Sequence, residues 1–363
     1  MEHACLPASW RAAGIGADAA DQRELGNQNP AYELKRLQGV AAEKRPFFGL
    51  KSYIYNKIRP MRFLLTFGLL AALFSCTEPA TRKDMDAEKA ATFDWQGHRG
   101  ARGLLPENTV PAFLKALEYP QVKTLELDLA VSRDSQLVVS HEPWMSHHIC
   151  SHPDGRPVLE SEEEDLLFYQ MPYDSIRQYD CGSRGNERFP EQKAQPAHKP
   201  LLSEVVQAVE QYCQEKGRPR PRYNIEIKLE PAYDGVKAPG PETFARLVLE
   251  EIARLGIKDW SCIQSFDVRP LQQLHRMDPQ IFTALLIENA HGVDANLNEL
   301  GYTPGAYSPY YKLVTANVVK TVHEKGMALI PWTVNDTTAM KALIALGVDG
   351  IITDYPNLIG GVE

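Results

Sequence analysis

From Thr92 onward, short β-branched runs alternate with amphipathic stretches, and this alternation restricts the fold more than any other feature of the chain. The runs Phe93–Gln96, Thr124–Val131, Arg222–Lys228, Ser261–Ser265, Ile281–Ile287, Gly305–Ser308, Met327–Val334 and Gly350–Thr353 read as strands. Helix-like segments separate them: Val110–Glu118, Leu201–Cys213, Pro241–Leu255, Val268–Met277, Val293–Leu300, Val314–Lys325 and Thr337–Leu346. Strands alternating with helices imply βαβ units and a parallel sheet. Eight strands in roughly 270 residues fit an α/β chain closed into a (β/α)8 TIM barrel. The alternative is a doubly wound open sheet, but no GxGxxG follows the first strand to support dinucleotide binding.

Two departures from a plain barrel are visible. Leu137–Ser140 has strand character but follows Thr124–Val131 too closely for a parallel crossover, so the two form an antiparallel hairpin. A two-residue turn at Asp134-Ser135 would set Asp128 opposite His141. Residues 142–200 then lose periodicity and become rich in Pro, Gly, Ser and charge, which reads as an insertion on the barrel's catalytic face, roofing the pocket. Cys150 and Cys181 both fall in it and could pair in an oxidising compartment.

The N-terminal part is of another kind. Residues 1–60 carry nine Lys/Arg against six Asp/Glu with no sustained period, and read as an upstream extension outside the mature protein. Lys57, Arg59 and Arg62 then precede an apolar run, Phe63 to Phe74, that stops at Ser75-Cys76. Twelve residues span only ~18 Å as a helix, against a hydrocarbon core of ~30 Å. Residues 61–76 are therefore a secretory signal. Its end, Leu73-Phe74-Ser75-Cys76, resembles a bacterial lipobox, which implies export to the periplasm or cell envelope with a lipid anchor on Cys76. Residues 77–91 read as a polar tether, and 92–363 as the barrel domain. The net charge of −8 and the lack of any basic run argue against nucleic acid as a partner. Six cysteines with no CxxC pair argue against a cysteine-built zinc site.

The strand ends that carry βα loops build the active site of such a barrel. They offer His98 and Arg99, Glu126 and Asp128, His141, Glu226 and Lys228, Gln264 and Ser265, Trp332 and Asn335, and Thr353-Asp354. Glu126 and Asp128 are two apart in a strand and share a face, as do Glu226 and Lys228. Charges pointing into a barrel are costly unless paired or bound to metal. Three acids against two cations leave ion pairing incomplete, so Glu126, Asp128 and Glu226 suit a hard divalent cation, Ca2+ or Mg2+. Arg99 and Lys228 would grip a phosphoryl group, and His98 and His141 would move protons near neutral pH.

Taken in order, Gly97-His98-Arg99-Gly100, Pro106-Glu107-Asn108-Thr109, Glu126-Leu127-Asp128, His141, Glu226-Ile227-Lys228, Gln264-Ser265-Phe266, Trp332-Thr333-Val334-Asn335 and Asp349 to Asp354 resemble the glycerophosphodiester phosphodiesterase family. The resemblance covers about residues 93–358. It implies a TIM barrel that cleaves glycerophosphodiesters to glycerol 3-phosphate and an alcohol. It implies metal ligation by Glu126, Asp128 and Glu226, acid–base chemistry by His98 and His141, and phosphate contact by Arg99. Lys228, Glu107 and Trp332 complete the substrate- and phosphate-binding group, with Glu107 expected to hydrogen-bond a histidine or arginine rather than a metal. The chain departs from the family in having Glu142 where Asp is usual, and Arg133-Asp134-Ser135 in place of a Lys-Asp-Gly turn. The alternatives are a related barrel phosphodiesterase acting on a phosphoinositide, lysophospholipid or other diester, or a non-catalytic phosphate-ligand-binding protein of the envelope.

Overall fold

The computed structural model describes residues 93–362. The extension, the signal-like segment with Cys76 and the tether all lie outside the described residues. Nine strands form one sheet: β1 Asp94–Gly97, β2 Val122–Val131, β3 Leu137–Val139, β4 Arg222–Ile227, β5 Ser261–Ser265, β6 Phe282–Ile287, β7 Ala306–Pro309, β8 Ala328–Leu329 and β9 Gly350–Thr353. Their order is β8-β7-β6-β5-β4-β2-β1-β9, every pair on this path parallel, with β3 pairing β2 from outside it. Backbone bonds Asp349 N–H to Leu329 O (2.9 Å) and Ile352 N–H to Pro331 O (3.0 Å) join the β8 segment to β9. The eight parallel strands thus make a nearly closed TIM barrel, as the strand–helix alternation implies.

Eight helices are described: α1 Val110–Leu117, α2 Tyr173–Ile176, α3 Leu202–Lys216, α4 Pro241–Arg254, α5 Val268–Met277, α6 Val293–Leu300, α7 Ala316–Glu324 and α8 Thr337–Leu346. Side-chain caps set several starts. The hydroxyl of Thr315 accepts from Val318 N–H, which starts α7 two residues after the sequence limit, and Asp336 accepts from Thr338 and Ala339 N–H at α8. The eighth strand is shorter than Met327–Val334 because Pro331 supplies no N–H. Its ladder to the β7 segment still runs on through Ile330 N–H to Tyr307 O and Trp332 N–H to Pro309 O.

Alternation divides the barrel into two interiors. Leu125, Leu127 and Leu129 of β2, with Ile225 and Ile227 of β4, join the core packed against the helices. Each such side chain contributes about 1.5–3 kcal/mol of burial. The intervening residues, Thr124, Glu126, Asp128, Asn224 and Glu226, are buried and polar, and Gln96 and Gln264 complete a hydrogen-bonded barrel centre.

The hairpin register differs from the expectation by one residue. Leu129 pairs with Val139 and Val131 with Leu137, so Asp128 lies opposite Ser140, whose N–H bonds to Asp128 O at 3.0 Å. The turn has three residues rather than two: Ser132 N–H closes it on Gln136 O, and Ser135 takes a left-handed φ of 60°. A type I turn followed by a left-handed residue is the usual three-residue solution. A serine there costs roughly 1 kcal/mol more than the glycine of the family's turn. Asp134 makes the turn workable by accepting from Ser132 Oγ and from Tyr173 N–H.

Residues 142–200 hold short 3-10 turns, α2 and a disulfide between Cys150 and Cys181. They bury their own apolar cluster, Met145, Ile149, Val158, Phe168, Tyr173 and Ile176, against Ala130 and Val138 of the hairpin. The insertion also grips the β1–α1 loop. Gln192 donates to Arg102 O (2.7 Å), Lys193 N–H to Leu104 O (2.9 Å), and the Arg102 guanidinium lies 4.5 Å over the Phe189 ring.

Candidate active site

At the C-terminal end of the barrel strands a cavity of about 150 Å³ is lined by His98, Arg99, Arg102, Glu126, His141, Glu226, Gln264, Phe266, Leu286, Trp332, Thr333 and Ile352. A larger cavity, about 390 Å³, opens at the opposite end of the strands beside Asp94, Trp260 and Phe282. None of the sequence-selected site residues lines it. Barrel chemistry belongs to the first end.

Strand register brings the acids together. Asp128 of β2 stands beside Glu226 of β4, which stands beside Gln264 of β5, while Glu126 lies one step down on the same inner face. Oxygens of Glu126, Asp128 and Glu226 lie within 4.8 Å of one another, all three residues buried. Burial, then the charges of Asp128 and Glu226, push the Glu126 carboxyl well above its ordinary pKa. Burial also raises Glu226, against the pull of Lys228. Burial opposes ionisation at Asp128 too, but Arg99, His141, Lys228 and the Asn108 amide outweigh it and hold that carboxyl far below the usual range. Asp128 Oδ1 is buried and accepts no hydrogen bond, although Oδ2 accepts one from Asn108 at 2.8 Å.

In and just behind the cavity, six carboxylates (Glu107, Glu126, Asp128, Glu142, Glu226, Asp354) meet four cations (Arg99, Arg102, Lys199, Lys228), a formal balance of 4 − 6 = −2 with both histidines neutral. Three converging carboxylates, one of them with an orphaned oxygen, and a deficit of two charges fit a single hard divalent cation.

A strained turn delivers the first histidine. Gly97 and Gly100 let β1 pass close beneath α1: a Cβ on Gly97 would lie 2.4 Å from Gly100 O, and one on Gly100 2.6 Å from the Ala112 backbone. Between them Arg99 adopts a left-handed φ of 49°, which aims its N–H at Glu126 Oε2 (2.9 Å) while Nη1 donates to Glu107 Oε1 (2.8 Å). Such strain in a non-glycine residue is held by surrounding bonds and clusters at working sites.

His98 Nδ1 donates to Asp354 Oδ1 (2.6 Å), and its Nε2 stands 3.8 Å from Glu126 Oε2. Arg102 grips both oxygens of Asp354, and Asn335 donates to Oδ2. Burial and the nearby Arg102 outweigh Asp354 and lower the His98 pKa to about 4, so the ring is neutral with a free lone pair on Nε2. His141 is arranged likewise. Its Nδ1 donates to Glu142 Oε1 (2.8 Å), and Lys228, which also pairs with Glu226 (2.9 Å), donates to its Nε2 at 3.0 Å. Burial, Arg99 and Lys228 lower its pKa.

The remaining residues singled out from the sequence fall in distinct places. Trp332 forms an apolar wall, its ring edge-on to Phe266 at 5.3 Å and its Nε1 donating to Ser308 O. Glu107 is buried behind Arg99, and Lys228 bridges Glu226 and His141; neither lines the cavity. Arg102, Asn108, Glu142 and Lys199 were given no task by the sequence, because nothing in spacing ties residues so far apart to the same two histidines and two acids. Residues 142–200 contribute nothing to the cavity wall, contrary to the expected roof. The insertion instead packs against the β1–α1 loop, which carries Arg99, Arg102 and Glu107.

Known proteins resemble this chain in sequence and fold. The model of the glycerophosphoryl diester phosphodiesterase family matches residues 98–358. A glycerophosphodiester phosphodiesterase of Bacillus subtilis (strain 168) is 28% identical over 321 residues, covering 83% of this chain and 96% of that protein. The solved structure of a provisionally named phosphodiesterase from Silicibacter pomeroyi DSS-3 superposes with a TM-score of 0.64 at 28% identity, covering 73% of this chain and 90% of that one. An Oleispira antarctica phosphodiesterase, solved with the product sn-glycerol-3-phosphate, shares the fold at 20% identity and a TM-score of 0.58, covering 76% and 98%. With the matched span running from His98 to past the last barrel strand, this chain belongs to the glycerophosphoryl diester phosphodiesterase family.

Proposed function

We propose that this chain hydrolyses glycerophosphodiesters to glycerol 3-phosphate and an alcohol, by general acid–base catalysis with a divalent cation. The observation that carries the reading is the meeting of Glu126 and Glu226 with two carboxylate-backed histidines and Arg99 at one cavity, with Asp128 converging on the two acids from behind its wall. The name of the Bacillus subtilis relative supports the substrate class. Ca2+ or Mg2+ held by Glu126, Asp128 and Glu226 would supply a Lewis acid for the phosphoryl oxygens.

The chain's own groups do the rest. Arg99, fixed by Glu107, presents its guanidinium to the phosphate. One histidine takes the proton of the attacking hydroxyl on Nε2. The other enters the step as imidazolium, having taken a proton from solvent on Nε2, and gives that proton to the leaving alcohol as the P–O bond breaks. Asp354 and Glu142 keep the two Nδ1 protons in place, which fixes each tautomer with Nε2 as the working nitrogen. By the family resemblance the attacking hydroxyl is the glycerol 2-hydroxyl, giving a cyclic phosphate that water then opens.

Release of glycerol 3-phosphate from glycerophosphocholine and glycerophosphoethanolamine tests the reading. Release should stop with EDTA and return with Ca2+ or Mg2+; no release from either diester with either cation would overturn it.

We further propose export and lipid anchoring at Cys76, supported by the basic flank and the short apolar run before it. Cells expressing the full chain should incorporate labelled fatty acid into it. Equal labelling of Cys76→Ser would refute the anchor.

A further inference from the structure

A run of side-chain hydrogen bonds crosses the barrel centre from one end of the strands to the other. At the N-terminal end Asp94 pairs with Arg222 (2.9 Å) and accepts from Gln96 Nε2 (2.9 Å). Gln96 Oε1 accepts from Asn224 Nδ2 (2.8 Å), and the same Nδ2 donates to Gln264 Oε1 (3.0 Å). Gln264 Nε2 then donates to Glu126 Oε1 (2.9 Å), one of the three converging acids. Gln96, Asn224, Gln264 and Glu126 are all buried.

The direction of each bond follows from its neighbour. A carboxylate paired with arginine only accepts, so Asp94 draws the NH2 of Gln96 and leaves the Gln96 oxygen facing Asn224. Asn224 answers with its NH2, and Gln264 then turns its oxygen to Asn224 and its NH2 to Glu126. Both Asn224 protons are used in this way, while its Oδ1 is buried without a partner. An unpaired buried acceptor costs stability, and here it is the consequence of aiming both protons at glutamines. Glu126 Oε2 is held by the Arg99 N–H (2.9 Å), which the backbone fixes. Its Oε1 depends on an amide that a half-turn would reverse, setting oxygen against oxygen at Glu126 and NH2 against NH2 at Asn224.

We propose that Asn224 is a positioning residue for the divalent cation: by keeping the Gln264 NH2 on Glu126, it fixes that carboxylate where it meets Asp128 and Glu226 and so raises cation affinity. This rests on the reading of those three acids as the metal site.

Cation affinity tests this, read as the rise in thermal midpoint when the full chain is titrated with Ca2+ or Mg2+. Asn224→Leu, similar in size but with no proton to donate, should weaken the apparent Kd ~10-fold or more, the loss typical of removing an outer-shell partner. Turnover of glycerophosphocholine should fall at low cation and return to within about threefold of the wild type at saturating cation, a recovery that general damage to the barrel would not show. Gln264→Leu should weaken the cation similarly, and the double variant should be no weaker than Gln264→Leu alone, because Asn224 acts through that amide. Asn224→Ser, whose single hydroxyl proton cannot serve both glutamines, gives the same measurement if leucine prevents folding. An unchanged Kd in the Asn224 variant, or losses that add in the double variant, would overturn the role of Asn224 alone. A wild type that neither cation stabilises would overturn the reading of the metal site on which that role rests.

Discussion

Asp128→Asn should lower turnover by about 10³-fold or more, with the fold intact. Asn keeps the shape of the side chain and can still meet Asn108, so the β1–α1 loop and β2 stay joined. It removes the one acid of the three that stays ionised on its own, held low by Arg99 and Lys228 despite burial. Cation binding provides a readout that needs no substrate. In the wild type, Ca2+ or Mg2+ at about 100 times its Kd should stabilise the fold by about 2.7 kcal/mol. That rise in thermal midpoint should be absent from Asp128→Asn. Equal stabilisation of both proteins by cation would place the ion elsewhere.

Replacing either histidine with alanine should cost about 10²- to 10⁴-fold in turnover on glycerophosphocholine. The two variants should then part company on a diester with a p-nitrophenyl leaving group, which needs no proton to depart. The variant lacking the acid should regain most of its rate, and the variant lacking the base should stay impaired. Equal impairment of both on the activated diester would contradict the division of labour. Asp354→Asn should mimic His98→Ala in part, because an amide at that position no longer fixes the Nδ1 proton and loses the bidentate bond to Arg102.

Much of the site could be read along the chain because the chemistry sits on strands. A period of two puts Glu126 with Asp128, and Glu226 with Lys228, on one face wherever the strand pairs, and alternation with helices made those strands parallel. The segment Gly97-His98-Arg99-Gly100 was legible as a strand end and as part of the family resemblance, whereas the close passage of its two glycines against Gly100 O and the Ala112 backbone is a matter of packing. Hairpin register was less legible. Whether two or three residues close the turn depends on Ser135 tolerating a left-handed φ and on Asp134 finding Ser132 and Tyr173, and Tyr173 comes from the insertion.

By itself, then, the sequence determined the strand–helix alternation and the inward face of each acidic strand, because these follow from local periodicity. Only the tertiary structure decided which atoms meet. Asp354, from the end of β9, reaches His98 after β1 because those two strands pair side by side in the sheet, although the residues are 256 positions apart in the chain. Arg102, Asn108, Glu142 and Lys199 took their places for the same reason. Insertion residues that show no period along the chain pack on the β1–α1 loop and lay Pro200 and Leu201 beside β3, a matter of long-range burial that no local pattern carries.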